Sequence, residues 1–273
     1  MKEFDPKALK NLYAPPSDSH KGENGKLMLI GGSHLFHAAS LWALTIASKF
    51  VDMVFYSSVP ENNEIVQKAK EEFRNGIVVP RGKIDDYAAE ADCILIGPGL
   101  PRPDGHEEGD DHTKELTEKL FIKYPDKKWV IDGGSLQVIN PEIIPKNSII
   151  TPHRKEFETL FGMEPNPENA ENMAKKYGII ILLKGESDIV CNPEECVEIV
   201  GGNAGMTKGG TGDVLAGLVA ALACKNDLFL AALVGSYINK KAGESLYGKV
   251  GYNFNASDLA EEIPIVMEVL QKS

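Results

Sequence analysis

The densest run of residues able to do chemistry lies at 203–217, and it reads Asn-Ala-Gly-Met-Thr-Lys-Gly-Gly-Thr-Gly-Asp-Val-Leu-Ala-Gly. Gly209, Gly210, Thr211 and Gly212 stand directly before an apolar stretch that predicts a helix starting near Asp213. Glycines let a backbone turn tightly and approach a ligand closely. The start of a helix adds unpaired N–H groups and the positive end of the dipole, which together make an anion site. An acid inside such a site is out of place if holding phosphate is its only task. Asp213 therefore reads as a base beside the anion, placed to take a proton from an attacking hydroxyl. A Gly-rich turn with Asp213 as an ordinary first-turn acid explains the same residues. The run is not a Walker loop, because no Gly-Lys-Ser/Thr follows four spacers, and it comes too late to be a dinucleotide fingerprint.

Two further segments carry polar groups at the ends of apolar runs. Lys184-Gly185 closes one of them, and a lysine there reaches a phosphate while Gly185 allows close approach; Ser187 and Asp188 add polar contacts. Thr151-Pro152-His153 closes another, followed by Glu156. Thr-Pro is also good helix-start chemistry. His153 and Glu156 would face one crevice, His153 toward a substrate and Glu156 toward Mg²⁺ through water. The acidic segment 104–112 holds five acids and two histidines and reads as a solvated, mobile loop more readily than as a metal site. His34 and His37, beside a glycine pair, read as structural. No Ser-His-Asp or Cys-His arrangement stands out.

These residues need elements to position them, and the pattern supplies an alternation of short apolar runs with helical segments. Predicted strands are Lys26–Ile30, 53–56, Cys93–Ile96, 129–131, Ser148–Ile150 and 179–183, each ending in Gly, Ser, Asp, Thr or Lys. Helices are predicted over 38–49, Pro167–Tyr177, 228–246 and a last segment capped by Asn255 or Ser257. Segments 189–191 and 197–200 predict an antiparallel hairpin. Continuous apolar strands separated by helices imply a mostly parallel sheet covered on both faces. Ligands bind beyond the carboxyl ends of such strands, where every notable polar cluster falls.

The chain has 273 residues, 42% of them apolar, with 29 basic against 40 acidic side chains and a net charge of −11. That balance argues against a nucleic-acid or anionic-membrane surface as the main business, since both need a positive field. At 7% aromatics there is no stacking platform for bases. The longest apolar run, 214–224, is far short of a membrane span, and the first ten residues do not read as a signal peptide. Cys93, Cys191, Cys196 and Cys224 show no paired metal spacing and are expected to be reduced, structural thiols of a cytoplasmic protein.

Taken together, the segments resemble the ADP/ATP-dependent NAD(P)H-hydrate dehydratases, a carbohydrate-kinase-like family of the ribokinase-like superfamily. The likeness runs from Lys26 to about Leu259. It rests on Gly25-Lys26-Leu27 through Gly31-Gly32-Ser33, Pro60-Glu61, Gly97-Pro98-Gly99-Leu100, Thr151-Pro152-His153 with Glu156, Leu183-Lys184-Gly185 and, most specifically, 202–217. Met206-Thr207-Lys208 ahead of Gly209-Gly210-Thr211-Gly212-Asp213 favours this branch over the sugar kinases, which usually carry Asp-Thr before Gly-Ala-Gly-Asp. The chain departs from the family's usual pattern at Phe36, Ala38-Ala39-Ser40, Pro101, Gly134, Ala204 and Lys208.

The resemblance implies a three-layer αβα sandwich with a mostly parallel sheet, filling 1–273 as one domain and leaving no room for a companion epimerase. It implies phosphorylation of the C6 hydroxyl of hydrated NADH or NADPH by ADP or ATP with Mg²⁺, then loss of phosphate. Asp213 would be the base. Ala39, Gly99, His153 and Asp213 would line the hydrated-cofactor site. Lys184, Gly185, Glu186, Ser187, Asp188, Asn203, Gly209, Gly210, Thr211 and Gly212 would line the nucleotide site. A homo-oligomer is expected from relatives. The same machinery could instead serve a small-molecule alcohol or sugar kinase, or a non-catalytic nucleotide-binding protein.

Overall fold

The computed structural model describes residues 1–68 and 76–272. Its strands are β1 (Lys2–Glu3), β2 (Lys26–Ile30), β3 (Met53–Ser57), β4 (Gly76–Val78), β5 (Cys93–Ile96), β6 (Lys128–Ile131), β7 (Ser148–Ile150), β8 (Ile180–Leu183), β9 (Asp188–Cys191) and β10 (Cys196–Ile199). They form one sheet in the order β1-β10-β9-β8-β7-β6-β5-β2-β3-β4. All pairings from β2 to β8 are parallel, whereas β9 runs antiparallel to β8 and to β10. The six predicted strands and the hairpin are all present. The two short edge strands β1 and β4 are additions.

The helices are α1 (His37–Ala47), α2 (Pro60–Lys68), α3 (Ile84–Ala88), α4 (Thr113–Lys123), α5 (Gly133–Leu136), α6 (Arg154–Phe161), α7 (Pro167–Tyr177), α8 (Thr211–Lys225), α9 (Leu228–Val250) and α10 (Ala256–Gln271). Alternate strand residues feed two separate cores. Leu27, Leu29 and Leu95 pack with Leu44 of α1, Val214 and Leu218 of α8, Val234 of α9 and Leu259 of α10. Met28, Ile94 and Trp129 pack with Phe121 of α4, Leu136 of α5, Phe157 of α6 and Ala170 of α7. Both faces of each central strand are therefore buried, which is why the strands read as unbroken apolar runs rather than as alternations. The result is the expected three-layer arrangement.

Two features place the site. The strand order reverses between β2 and β5, so a crevice opens beyond their carboxyl ends, at Gly31-Gly32 and Gly97-Pro98-Gly99. Next to it, α8 is buried along nearly its whole length and is pinned tightly to α1: a methyl group added at Gly217 would come within 2.6 Å of the Ala43 carbonyl. A helix so held cannot slide, and its first turn carries Thr211, Gly212 and Asp213 to a fixed position.

One expectation fails. Cys191 and Cys196 are not free thiols but a disulfide. The turn 192–195 sets them directly opposite each other in the β9–β10 register, with Cα atoms 4.1 Å apart. Cys93 and Cys224 are free and buried, as expected. No helix among the described residues is long and apolar enough to cross a membrane.

Candidate active site

Successive strand ends deliver the polar groups. Asp132 follows β6, Thr151 follows β7 and Lys184 follows β8. The Lys184 ammonium donates to Asp132 Oδ1 at 2.8 Å, and the Thr151 hydroxyl donates to the same oxygen at 2.7 Å. Glu156 lies on the first turn of α6 in a capping box: its carboxylate accepts from the His153 N–H at 2.9 Å, and His153 Nδ1 accepts from the Glu156 N–H at 3.2 Å. One Glu156 oxygen is 3.9 Å from the Lys184 ammonium. One lysine thus stands among the acids Asp132, Glu156 and, across the crevice, Asp213.

The electrostatics follow from that imbalance. Burial works against a charged Lys184, but the neighbouring Asp132 and Glu156 charges outweigh it and hold the ammonium well above its ordinary range. Burial raises Glu156, with Lys184 opposing and Asp132 reinforcing. Burial and the Lys184 charge lower His153. Asp213 is raised from 3.8 to about 7, first by burial and then by repulsion from Asp132, with Lys184 only partly offsetting both. A carboxyl group in that range exchanges a proton readily near neutral pH, which is what a general base needs.

Two cavities meet at these residues. The larger, about 740 Å³, is lined by Lys184, Gly185, Glu186, Ser187, Asp188, Asn203, Thr211 and Gly212 among others. The smaller, about 430 Å³, is lined by Ala39, Gly99, His153, Glu156 and Asp213, and also by Trp42, Arg102 and Asp132. Lys184 and Gly212 belong to both walls. The structure therefore gathers all the expected cofactor-side residues in one cavity and most of the expected nucleotide-side residues in the other. Gly209 and Gly210 are the exception: they line the smaller cavity, because α8 begins one residue after Gly210 and turns them toward α1. Gly210 has φ 95°, and a methyl group there would sit 2.3 Å from the Trp42 ring, so only glycine fits.

Several of these side chains also hold the loops around the cavities. Asp188 is buried, and its carboxylate accepts from the Gly185 N–H at 3.0 Å and the Ser236 hydroxyl at 2.7 Å, with the Lys240 ammonium at 3.3 Å. Asn203 accepts from the Gly205 N–H and donates to the Gly243 carbonyl. Both residues line the larger cavity while their side chains hold its loops. The Thr211 hydroxyl donates to Met206 and Lys208 carbonyls, which closes the turn before α8. That helix has no side-chain cap; its Thr211 N–H is directed to the Lys208 carbonyl at 3.4 Å, so the Gly212 N–H is the first-turn donor best placed to meet an anion. Lys208 donates to the Tyr252 and Phe254 carbonyls and ties the loop to the α9–α10 connection. The acidic segment 104–112 is anchored rather than free: buried Asp110 accepts from the His34 N–H at 3.0 Å, and Asp111 pairs with Arg81 at 2.7 Å.

Sequence reasoning missed Asp132, Trp42, Asn239 and Lys240. Asp132 had a signal, since it ends a strand like the others; Lys240 and Asn239 had a weaker one, as polar residues on the apolar stripe of α9. No three His, Cys, Asp or Glu side chains among the described residues converge closely enough to hold a metal ion by themselves. Hard carboxylate oxygens in excess over one ammonium do suit a Mg²⁺ ion that arrives with a polyphosphate.

Comparison with known proteins adds a third line. The family model for NAD(P)H-hydrate dehydratase matches residues 27–265. A bifunctional NAD(P)H-hydrate repair enzyme of Methanocaldococcus jannaschii is 38% identical over 96% of this chain, which spans about half (52%) of that protein's length. An ADP-dependent (S)-NAD(P)H-hydrate dehydratase of Nitrosopumilus maritimus is 34% identical over 97% of this chain and 96% of its own. Among solved structures, a ribokinase-like superfamily protein of Enterococcus faecalis superposes with a TM-score of 0.83 at 22% identity, covering 100% of this chain and 97% of that one. The fold is therefore ribokinase-like.

Proposed function

Because the chain belongs to the NAD(P)H-hydrate dehydratase family, we propose that its two joined cavities carry out nucleotide-dependent dehydration of hydrated NADH or NADPH. The hydrated nicotinamide occupies the smaller cavity, against Ala39, Gly99 and His153. The nucleotide, ADP or ATP, occupies the larger, with its terminal phosphoryl group at the shared wall of Lys184 and Gly212. Asp213 takes the proton of the C6 hydroxyl as its oxygen bonds to phosphorus, and the nucleotide leaves one phosphate shorter. The first-turn N–H groups of α8 and the Lys184 ammonium stabilise the charge on the transferred group. The C6–O bond then breaks with phosphate as the leaving group and a proton departs from the adjacent carbon, which restores the ring double bond. Phosphorylation serves this end because hydroxide is a poor leaving group and phosphate a good one. Mg²⁺ bound to the polyphosphate would neutralise its charge, with Asp132 and, through water, Glu156 as the carboxylates able to hold it.

The observation that carries this reading is the position of Asp213, a carboxyl group titrating near 7 beside the one wall that both cavities share. Since one sheet builds both cavities, we read 1–273 as a single catalytic domain. Incubating the protein with purified hydrated cofactor, Mg²⁺ and ADP or ATP should restore reduced-nicotinamide absorbance only when nucleotide is present. A stable phosphate ester on another alcohol, with no such recovery, would make the protein a small-molecule kinase. Nucleotide binding without either product would leave a non-catalytic binder.

A further inference from the structure

Arg102 stands between two cavities. On one side it lines the smaller cavity of the site, in the same wall as His153 and Asp213. On the other it lines a third cavity of about 390 Å³, with Pro101, His106, His112, Lys114 and Val138. Its guanidinium lies 5.4 Å over the Phe36 ring, a face that favours a cation. It pairs with no carboxylate among the described residues, although 104–112 holds five acids: Asp110 is taken by His34 and Asp111 by Arg81. Behind burial and stronger charges, Arg102 lowers both His153 and Glu156, so its charge faces the crevice.

The segment that carries it is held. The Thr113 hydroxyl donates to the Pro101 carbonyl at 2.8 Å, and a methyl group added at Gly105 would come within 3.3 Å of the Phe36 ring. A cation without a carboxylate, on a held segment of a chain with net charge −11, is placed for an anion that arrives from outside. The third cavity differs from the acidic crevice. The His106 and His112 rings stack there at 5.3 Å, Lys114 adds an ammonium, and Glu115 is the one acid in its described wall. Hydrated NADH or NADPH carries a pyrophosphate between its two nucleosides. The smaller cavity, about 430 Å³, takes a nicotinamide riboside but not the whole dinucleotide. The remainder must leave past the rim, where exposed Arg102 stands.

We propose that Arg102 grips the pyrophosphate of the dinucleotide substrate, with the nicotinamide half inside the smaller cavity and the adenosine half along the third, against His106 and His112. The planar guanidinium fork pairs with two phosphate oxygens at once. The contact is remote from the C6 hydroxyl and does not change as that group reacts, so it serves binding rather than turnover. The assignment rests on the dehydratase reading of the smaller cavity.

The test is steady-state kinetics of the whole protein at saturating nucleotide and Mg²⁺, for the native chain, Arg102→Leu, Arg102→Lys and the double variant His106→Ala/His112→Ala. Two substrates are compared: hydrated NADH, and hydrated reduced nicotinamide mononucleotide, which keeps one phosphate and lacks adenosine. Arg102→Leu should raise KM for hydrated NADH about tenfold or more with kcat within about twofold of native, and Arg102→Lys should recover part of the loss. The native chain should favour the dinucleotide over the mononucleotide, and the histidine double variant should narrow that margin. KM for the nucleotide and the melting temperature should stay native throughout. A KM for hydrated NADH within about twofold of native in Arg102→Leu, or a fall in kcat alone, would overturn the pyrophosphate contact. So would a lower melting temperature with every constant weakened, which would mean a structural role, or a raised KM for the nucleotide, which would put Arg102 on the other ligand. Equal native KM for the two substrates would remove the third cavity from the assignment. If the native chain restores reduced nicotinamide from neither substrate, the dehydratase reading fails and takes the assignment with it; native turnover with indifferent variants removes the assignment alone.

Discussion

Replacing Asp213 with Asn should damage activity and strengthen the fold, and the second effect should depend on pH with a definite sign. Folded Asp213 holds its proton up to about 7, whereas an ordinary aspartate releases it near 3.8. Between those values the folded chain binds a proton that the unfolded chain does not, so this group's contribution to stability falls as pH rises through the window. Above 7 the whole cost of an ionised, half-buried carboxylate is present. At 1.36 kcal/mol per pH unit it amounts to about 4 kcal/mol as an upper bound. Asn has nearly the same volume and no charge, so Asp213→Asn should recover part of that cost at pH 8, a gain of several degrees in melting temperature. The gain should shrink as pH falls below 7 and vanish near 4. Turnover should fall by about 10²–10⁴, the usual worth of a general base. Native kcat/KM should lose about tenfold per unit below pH 7. Urea titrations at pH 8 and pH 5, paired with absorbance assays, measure all of this. A variant no more stable than native at pH 8, or one with native turnover, would refute the argument.

Lys184→Met should push the acid limb of kcat/KM to higher pH, because the ammonium is the charge that holds Asp213 down, and it should weaken nucleotide binding. The nucleotide's own titration is common to both proteins, so the displacement between the two profiles is the readout; superimposable limbs would remove Lys184 from the electrostatics of Asp213. Asp188→Ala should cost about 3–5 kcal/mol in denaturant titrations by leaving buried Lys240 without its carboxylate, while leaving the pH limb in place. Gly210→Ala should destabilise by about 1–3 kcal/mol through backbone strain and collision with Trp42. It should also shift Trp42 fluorescence, and native emission and stability would show that the loop can relax.

What the sequence made legible was the part of the fold specified by local pattern. The central strands announced themselves because burial on both faces removes every polar interruption, and their ends announced themselves because the apolar run stops there. Pro167 and Gly178 bounded α7, and Asn255 capped α10, because caps are local chemistry. The strands β1 and β4, of two and three residues, carry no pattern long enough to read. The disulfide escaped because five residues of spacing say nothing until the hairpin register is known. Asp132 and Lys184 are 52 positions apart, and only the adjacency of strands β6, β7 and β8 brings them to 2.8 Å. The acidic loop looked free for the same reason, since its partners His34 and Arg81 come from other strand ends.

The charge arrangement explains why Asp213 stood out in the sequence as a candidate base while its raised pKa did not. A parallel sheet sends every strand end to the same edge, so acids and lysines that are harmless apart become neighbours there. Three carboxylates around one ammonium cannot all be comfortably ionised. Lys184 is bonded directly to Asp132 and lies near Glu156, and Asp213 is the acid left with least compensation. If the proposed assignment holds, a polyphosphate with its Mg²⁺ entering from the larger cavity would change that balance from the Lys184 side, while a hydroxyl entering from the smaller cavity would meet Asp213. On the proposed reading, proton transfer would depend on bound nucleotide through the shared wall: the lysine that lowers the pKa of Asp213 is the one the phosphoryl group would approach.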